Sequence, residues 1–351
     1  MAASSVTPVT LLTGFLGSGK TTLLNALLKH PSCANTAVLI NEYGDIAIDH
    51  LLVREASETM MVMSNGCICC SVAGDMVQAL RDLYFKRANG DVPPFTRVII
   101  ETTGLADPAP ILHTLIQLPL VAARYSFSGV VTTVDATHAQ GQLDTQFEAI
   151  KQIALADRII ITKTDIATPE TVAALRERIV ALNPGAQVYL ANHGGISPTL
   201  LLDTGLFQAD NKSVDARKWL RSELFREVNL DQSEKFKPPQ AVQSRHDARI
   251  TSFSVVDDRP MDWDRFCDAI ELIVSLQGDH ILRMKGIVHV LNETRPRAIH
   301  VVQHTIYPTA ALPAWPDDDR RTKLVFILRD ADEQLIRSTL QSMFSTPILD
   351  I

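Results

Sequence analysis

The sequence predicts an α/β fold: a doubly wound, mainly parallel sheet, followed by a smaller α+β C-terminal domain. Three observations carry that expectation. A glycine-rich turn, GFLGSGKT, lies between a short β-branched run and a helical pattern. Further apolar runs are continuous rather than alternating, as strands covered on both faces require. Beyond residue 249 the pattern changes to strand, helix, three strands and a closing helix, which reads as an antiparallel α+β unit.

Taken in order, residues 9–13 form a strand and residues 20–29 the helix after the glycine turn. Residues 36–40 are a second strand. Residues 60–63 lead into a cysteine cluster, and a helix follows over 73–87. Apolar, β-branched runs at 98–101, 129–134 and 158–162 supply further parallel strands. A helix over 168–182 and a strand at 187–190 complete a first domain of residues 1–204. Residues 205–248 read as a partly helical linker: a helical piece near 215–225 precedes a polar stretch with Lys235, Lys237, Pro238 and Pro239. Residues 249–351 hold the second domain, with strands at 251–256, 281–291, 298–305 and 323–328 and helices at 262–277 and 332–344.

Bulk properties narrow the function. A chain of 351 residues is comfortable for two domains, and 46% hydrophobic with 21% charged residues suits a globular protein. The formal charge of -7 argues against a nucleic-acid partner, which calls for a concentrated basic surface. No basic segment precedes the first apolar stretch, which is broken by Gly14, Gly17 and Gly19, so no secretory signal is read. No apolar run reaches the ~18 residues of a membrane span. A cytoplasmic, reducing location is therefore expected, where clustered thiols are metal ligands or redox groups before they are structural disulfides.

The glycine turn, Gly14 to Thr21, matches GxxxxGK[ST], and Thr22 follows. Gly14, Gly17 and Gly19, with Ser18 between them, let the backbone wrap so that its N–H groups converge on phosphate oxygens. Lys20 adds a mobile cation for the β- and γ-phosphates, and Thr21 a hydroxyl for Mg²⁺. The helix beginning here turns its positive end toward the anion. A later strand, RVIIE, ends in Glu101 and leads to Gly104, a carboxylate to organise Mg²⁺ and water and an N–H to sense the γ-phosphate. These residues point to nucleoside triphosphate hydrolysis.

Thr162, Lys163 and Asp165 form a TKxD tetrapeptide at the end of the strand at 158–162, where guanine-specific P-loop proteins carry NKxD. A carboxylate at Asp165 accepts hydrogen bonds from guanine N1–H and the 2-amino group. Adenine offers neither, so a buried, unpaired carboxylate would penalise it. GTP and GDP are thus the expected nucleotides. Thr162 replaces the usual Asn, and one hydroxyl offers fewer bonds than an amide, so weaker base affinity is expected.

Cys67, Cys69 and Cys70 lie within four positions. Thiolates are soft donors for Zn²⁺, Cu⁺ and similar ions. The i, i+2 spacing can turn Cys67 and Cys69 to one side of an extended segment, with Cys70 joining at the turn. Three cysteines leave one tetrahedral position open, which suits transfer better than permanent binding. Buried small hydrophobes and a thiol–disulfide pair are the competing readings. The glycine-flanked polar loop argues against the first, and the lack of CxxC spacing against the second. Cys33 and Cys267 read as ordinary residues. Between the P-loop helix and the cluster, an acidic, glycine-containing stretch runs from Asn41 to Asp49, where a nucleotide-sensing switch would sit. Glu42 can approach the metal or Mg²⁺ and Asp49 can approach Mg²⁺ or water, or both are solvated loop acids; their sequence does not choose. His289, His300 and His304 gather in the second domain, and the even spacing of His300 and His304 would put them on one face of a strand. Structural histidines and a second metal or client site both stand as readings.

Together the segments TGFLGSGKTTLLN, NEYGDIAID, GCICC, ETTGLADP and TKTD resemble the CobW-like metallochaperone GTPases, relatives of the urease and hydrogenase nickel-insertion GTPases. ILRMKGIVHV, RPRAIHVVQH, YPTAALPAWPDDD and TKLVFILRD resemble that family's second domain. The resemblance implies GTP hydrolysis, metal held at Cys67, Cys69 and Cys70 with Glu42, and delivery to a client metalloprotein under nucleotide control. Zinc is the first expectation for the metal, with cobalt or another transition ion as the alternative, and a homo-oligomer is left open. A regulatory GTPase with structural cysteines and a metal buffer with little turnover are the rival functions. The cysteine cluster disfavours the former, and Lys20, Thr21 and Glu101 the latter.

Overall fold

The computed structural model of the chain describes residues 6–41, 62–64, 72–202, 220–229 and 249–344. It divides into two compact units, residues 1–180 with 186–214, and residues 181–185 with 215–351.

In the first unit, strands β1 (Thr7–Gly14), β2 (Thr36–Asn41), β3 (Val62–Ser64), β4 (Arg97–Thr102), β5 (Tyr125–Asp135), β6 (Arg158–Thr162) and β7 (Gln187–Ala191) form one sheet. Their order is β3-β2-β4-β1-β5-β6-β7, and every pairing among the described residues is parallel. Parallel pairing puts all strand C-termini on one edge. The chain steps from β1 to one side of the sheet and returns at β5 to the other, so the loop after β1 lies at the switch point where such sheets bind ligands.

Helices α1 (Lys20–Leu28), α2 (Val72–Asn89), α3 (Pro108–Gln117), α4 (Pro119–Ala122), α5 (Ala139–Thr145), α6 (Phe147–Leu155), α7 (Pro169–Leu182) and α8 (Pro198–Leu202) connect the strands. Helix α1 is pinned by Leu23, Leu24, Leu27 and Leu28, buried against Leu12, Val38, Ile99, Val131 and Ile160 of the sheet. At roughly 2 kcal/mol for each buried leucine, this contact fixes where the glycine loop ends. Cys33 joins the same core. Helix α3 starts because Asp107 caps it, its carboxylate accepting from Ala109 N at 2.9 Å, with Pro108 at the first helical position.

The second unit is an α+β sandwich. Its sheet runs β12-β11-β10-β14-β9-β8, with β13 also on β11. These are β8 (Arg226–Asn229), β9 (Ile250–Asp257), β10 (Ile281–Val288), β11 (Arg297–Val302), β12 (Thr305–Ile306), β13 (Ala310–Ala311) and β14 (Thr322–Arg329). All pair antiparallel except β8 with β9. Strand β8 falls inside the stretch that the sequence assigns to a linker. Helices α9 (Trp263–Gln277) and α10 (Glu333–Phe344) cover one face. Phe266, Ile270, Ile273 and Val274 of α9 fall on one stripe of that helix and pack with Phe253, Phe326, Ile336 and Leu340.

Two differences from the sequence reading have physical causes. Between β4 and β6 the sequence signals only a strand, yet α3 to α6 lie there. They are short, and α3 and α4 open on prolines, so each offers too few turns for a 3.6-residue period to stand out in the sequence. The run 298–305 reads as one strand but folds back on itself. Val301 pairs with Ile306 and Val302 with Thr305, across a turn in which Gln303 takes φ 49°.

Candidate functional site

The candidate nucleotide site is built on the C-terminal edge of the parallel sheet, from Gly14, Glu101, Asp135, Thr162 and Ala191 at the ends of five neighbouring strands. Gly14 has φ 145°, and a Cβ there would sit 2.7 Å from Ser18 Oγ and 2.5 Å from the Thr133 carbonyl, so only glycine lets the loop close. Gly17, Ser18 and Gly19 complete the turn into α1, whose N-terminus has no side-chain cap and no acidic residue in its first turn. Its leading amides therefore face the loop without an internal carboxylate to occupy them, an arrangement suited to phosphate. Lys20 Nζ donates to Gly14 O at 2.9 Å and Phe15 O at 3.3 Å, folded over the loop it would share with phosphates.

Thr21 Oγ1 donates to Glu101 Oε1 at 2.7 Å. Register explains the meeting: Leu12 of β1 pairs with Glu101 of β4, so the buried carboxylate stands beside the strand that launches the P-loop. A hydroxyl and a carboxylate at this distance are hard oxygen donors of the kind Mg²⁺ takes. Beyond β4 the chain turns at Gly104, where a Cβ would lie 2.6 Å from the Leu16 backbone nitrogen. The loop after β4 thus rests directly on the P-loop. Thr22 follows Thr21 in α1.

The base-side loop is tied to the P-loop by the residue that departs from NKxD. Thr162 Oγ1 donates to Ser18 O at 2.8 Å and to Val134 O at 3.2 Å. Its hydroxyl is engaged in holding two loops together rather than facing outward, so the substitution keeps a tether. Lys163, in the left-handed region at φ 56°, donates to Asp135 Oδ2 at 2.7 Å. Asp165 is exposed, not buried as the base-selection argument from sequence supposes, and lies 3.6 Å from His193 Nε2, while Thr164 donates to Asn192. Burial would raise the Asp135 pKa, but the Lys163 ammonium and bonds from Thr137 and His138 outweigh it and hold the carboxyl at about 2. Ser18 Oγ and Thr133 Oγ1, 2.7 Å apart, add a link from the P-loop to β5.

Sequence reasoning missed Asp135, Thr133, Gln152, Lys151 and Asn192. Asp135 had a signal: like Glu101, it is an acid ending an apolar strand. Cys67, Cys69, Cys70, Glu42 and Asp49 lie outside the described residues. Among those described, β2 and β3, which precede the two segments carrying them, pair in parallel with Ile40 opposite Ser64, and Ile40 also opposes Glu101. Cys33 and Cys267 are free, and burial raises both thiol pKa values, in Cys267 helped by Glu271, Asp264 and Asp268.

The histidine group of the second unit does not form as its spacing suggests. Because the chain reverses at Gln303, His300 and His304 do not share a strand face. His300 is buried and stacked on Tyr307 at 4.1 Å, His304 is exposed beside Asp279, and His289 meets Trp315 edge-on at 5.3 Å. Among the described residues no three His, Cys, Asp or Glu side chains converge as a metal site, and no helix is long and apolar enough to cross a membrane.

Residues 8–190 match the CobW/HypB/UreG nucleotide-binding domain, and residues 250–344 the cobalamin synthesis protein cobW C-terminal domain. The chain belongs to the CobW/HypB/UreG family. Among its relatives, the zinc chaperone YjiA of Escherichia coli is 32% identical over 95% of this chain and 98% of its own length. The zinc-regulated GTPase metalloprotein activator 1 of Schizosaccharomyces pombe is 31% identical over 59% of this chain and 51% of its own. The crystal structure of Zn(II)-bound YjiA GTPase from E. coli superposes with a TM-score of 0.69 at 31% identity, covering 96% of this chain and 99% of that one. A CobW/HypB/UreG domain joined to a CobW C-terminal domain accounts for both units of the fold.

Proposed function

We propose that this chain hydrolyses GTP to GDP and phosphate and uses the nucleotide state to deliver a transition-metal ion, zinc first, to a client metalloprotein in the cytoplasm. The observation that carries the hydrolytic part is the Thr21–Glu101 hydrogen bond, which sets a Mg²⁺-type oxygen pair beside an uncapped helix N-terminus and Lys20. Thr21 and Glu101 would hold Mg²⁺, which supplies charge neutralisation at the β- and γ-phosphates when bound. Lys20 leaves the Gly14 and Phe15 carbonyls to contact those phosphates. Glu101 orients the attacking water, whose oxygen bonds to the γ-phosphorus as the bond to the β–γ bridging oxygen breaks and GDP leaves. Gly104, resting on Leu16, reports the presence of the γ-phosphate. Asp49 is assigned to the same task of ordering Mg²⁺ or water.

Metal is the cargo, held by Cys67, Cys69 and Cys70 with Glu42. The kinship with a zinc chaperone over nearly the whole chain supports zinc, and soft thiolates suit it. Asp165 selects guanine, with Lys163 braced by Asp135 and Thr162 bracing the P-loop. The test is Asp165→Asn in a binding assay with GTP and ATP analogues. The wild type should prefer the GTP analogue strongly, and the variant should lose at least ~10-fold of that preference. Equal preference in wild type and variant would remove Asp165 from base selection.

A further inference from the structure

Helix α6 contributes nothing to the motifs of the nucleotide site, yet it carries a buried amide aimed at one of its loops. Gln152 is 1% exposed, and its Nε2 donates to Gly104 O at 3.1 Å and to Ala106 O at 3.0 Å. Two carbonyl acceptors fix which end of the amide faces the loop, because the oxygen in that place would set acceptor against acceptor. Among the described residues, Gln152 Oε1 is buried without a hydrogen-bond partner. Burying an amide with one end unsatisfied is unfavourable, so packing alone does not account for glutamine here. An apolar side chain of the same length would fill the space without that cost.

The neighbouring side chain grips the same loop. Lys151 Nζ pairs with Asp107, the cap of α3, while Thr132 Oγ1 of β5 donates to Gln152 O at 2.9 Å and anchors α6 to the sheet. Residues 104 to 107 are therefore held at three points by two adjacent side chains of one helix. Because a trans peptide directs its N–H opposite its C=O, drawing the carbonyls of Gly104 and Ala106 toward α6 turns the N–H groups of Leu105 and Asp107 away from it. Gly104 meanwhile lies against the P-loop at Leu16. The amide thus sets the orientation of the peptides next to the γ-phosphate sensor.

We propose that Gln152 is a positioning residue for GTP hydrolysis: through its hydrogen bonds to Gly104 and Ala106 it holds the γ-phosphate-sensing loop in register with the P-loop. The proposal rests on the hydrolytic reading given above. It acts through the loop, not on the nucleotide, so its loss should fall on turnover and not on binding of the diphosphate, which lacks the group being sensed.

The experiment compares the full-length wild type with Gln152→Met, which keeps length and removes both donors together with the unsatisfied acceptor. Steady-state phosphate release should show kcat lowered ~10-fold or more, with KM for GTP within ~3-fold and GDP affinity unchanged. An unchanged kcat, or parallel losses in kcat, GTP affinity and GDP affinity, would overturn the proposal. If Gln152→Met does not fold, Gln152→Asn, which keeps the amide but withdraws it by one methylene, carries the same test. The same split supports the role, and wild-type kinetics overturn it. No turnover in the wild type itself would overturn the hydrolytic reading and this proposal together, whereas wild-type turnover matched by the variants would overturn only this proposal.

Discussion

The two units both rest on a seven-stranded sheet among the described residues, but they use polar side chains in opposite ways. In the parallel unit, the buried polar groups reach across the chain: Thr21 to Glu101, Ser18 to Thr133, Thr162 to Ser18, Gln152 to Gly104. In the antiparallel unit most ion pairs among the described residues are local, as in Arg259 with Asp257, Arg321 with Asp319 and Arg297 with Glu293, and each has at least one part-exposed partner. Arg249 with Asp330 is sequence-distant but also surface-lying. The difference teaches where chemistry is built. Bonds that join far-apart segments inside a protein require the fold to align them and hold loops in register, while local pairs form wherever a turn permits and contribute little.

The largest expected effect sharpens that contrast on the parallel side. Lys20→Ala should lower GTP turnover by at least ~100-fold in a phosphate-release assay, because a charge aimed at developing negative charge is lost. Its thermal unfolding should stay close to wild type, since the truncation removes a part-buried side chain bonded to loop carbonyls and no core packing. A variant retaining wild-type turnover would break the assignment.

A smaller effect comes from Asp135. Its carboxyl is held at about 2, below the ordinary carboxylate value of about 4, so the ionised form stabilises the fold above about pH 4. That contribution, roughly 2 kcal/mol from the size of the shift, is lost as pH falls through about 2. Denaturant unfolding followed from pH 5 to pH 2 should therefore decline more steeply in the wild type than in Asp135→Asn. Parallel declines would mean that the Lys163 pair contributes nothing to folding.

The smallest effect belongs to the other unit. Arg321 holds the Asp319 carboxyl well below the usual carboxylate range, but the pair is two residues apart and partly solvated. Arg321→Ala should cost under ~1 kcal/mol of stability in urea unfolding and leave GTP turnover unchanged. A loss of turnover would show that the second unit's surface pairs belong to the catalytic account.

What the sequence made legible follows the same divide. The P-loop was readable because its chemistry is local: Gly14, Gly19, Lys20 and Thr21 lie within eight consecutive positions. Glu101 was readable because an acid at the end of an apolar strand falls on the sheet edge where ligands bind. Gln152 was not readable. It sits in a nine-residue helix, 48 positions from the carbonyl it holds, and only the packed fold brings them together. Thr162 was placed correctly on its strand, but its inward bond to Ser18 depends on how closely β6 approaches the P-loop. The histidine spacing misled because a two-residue reversal at Gln303 cancels strand alternation.

The measurement that bears most directly on the central claim is zinc affinity in two nucleotide states. Anaerobic titration of the Mg²⁺-loaded wild type with a non-hydrolysable GTP analogue and with GDP should give affinities differing by ~5-fold or more, a coupling that Cys69→Ala abolishes. Identical zinc affinities in the two states, with the cysteines intact, would contradict a device in which nucleotide governs metal release.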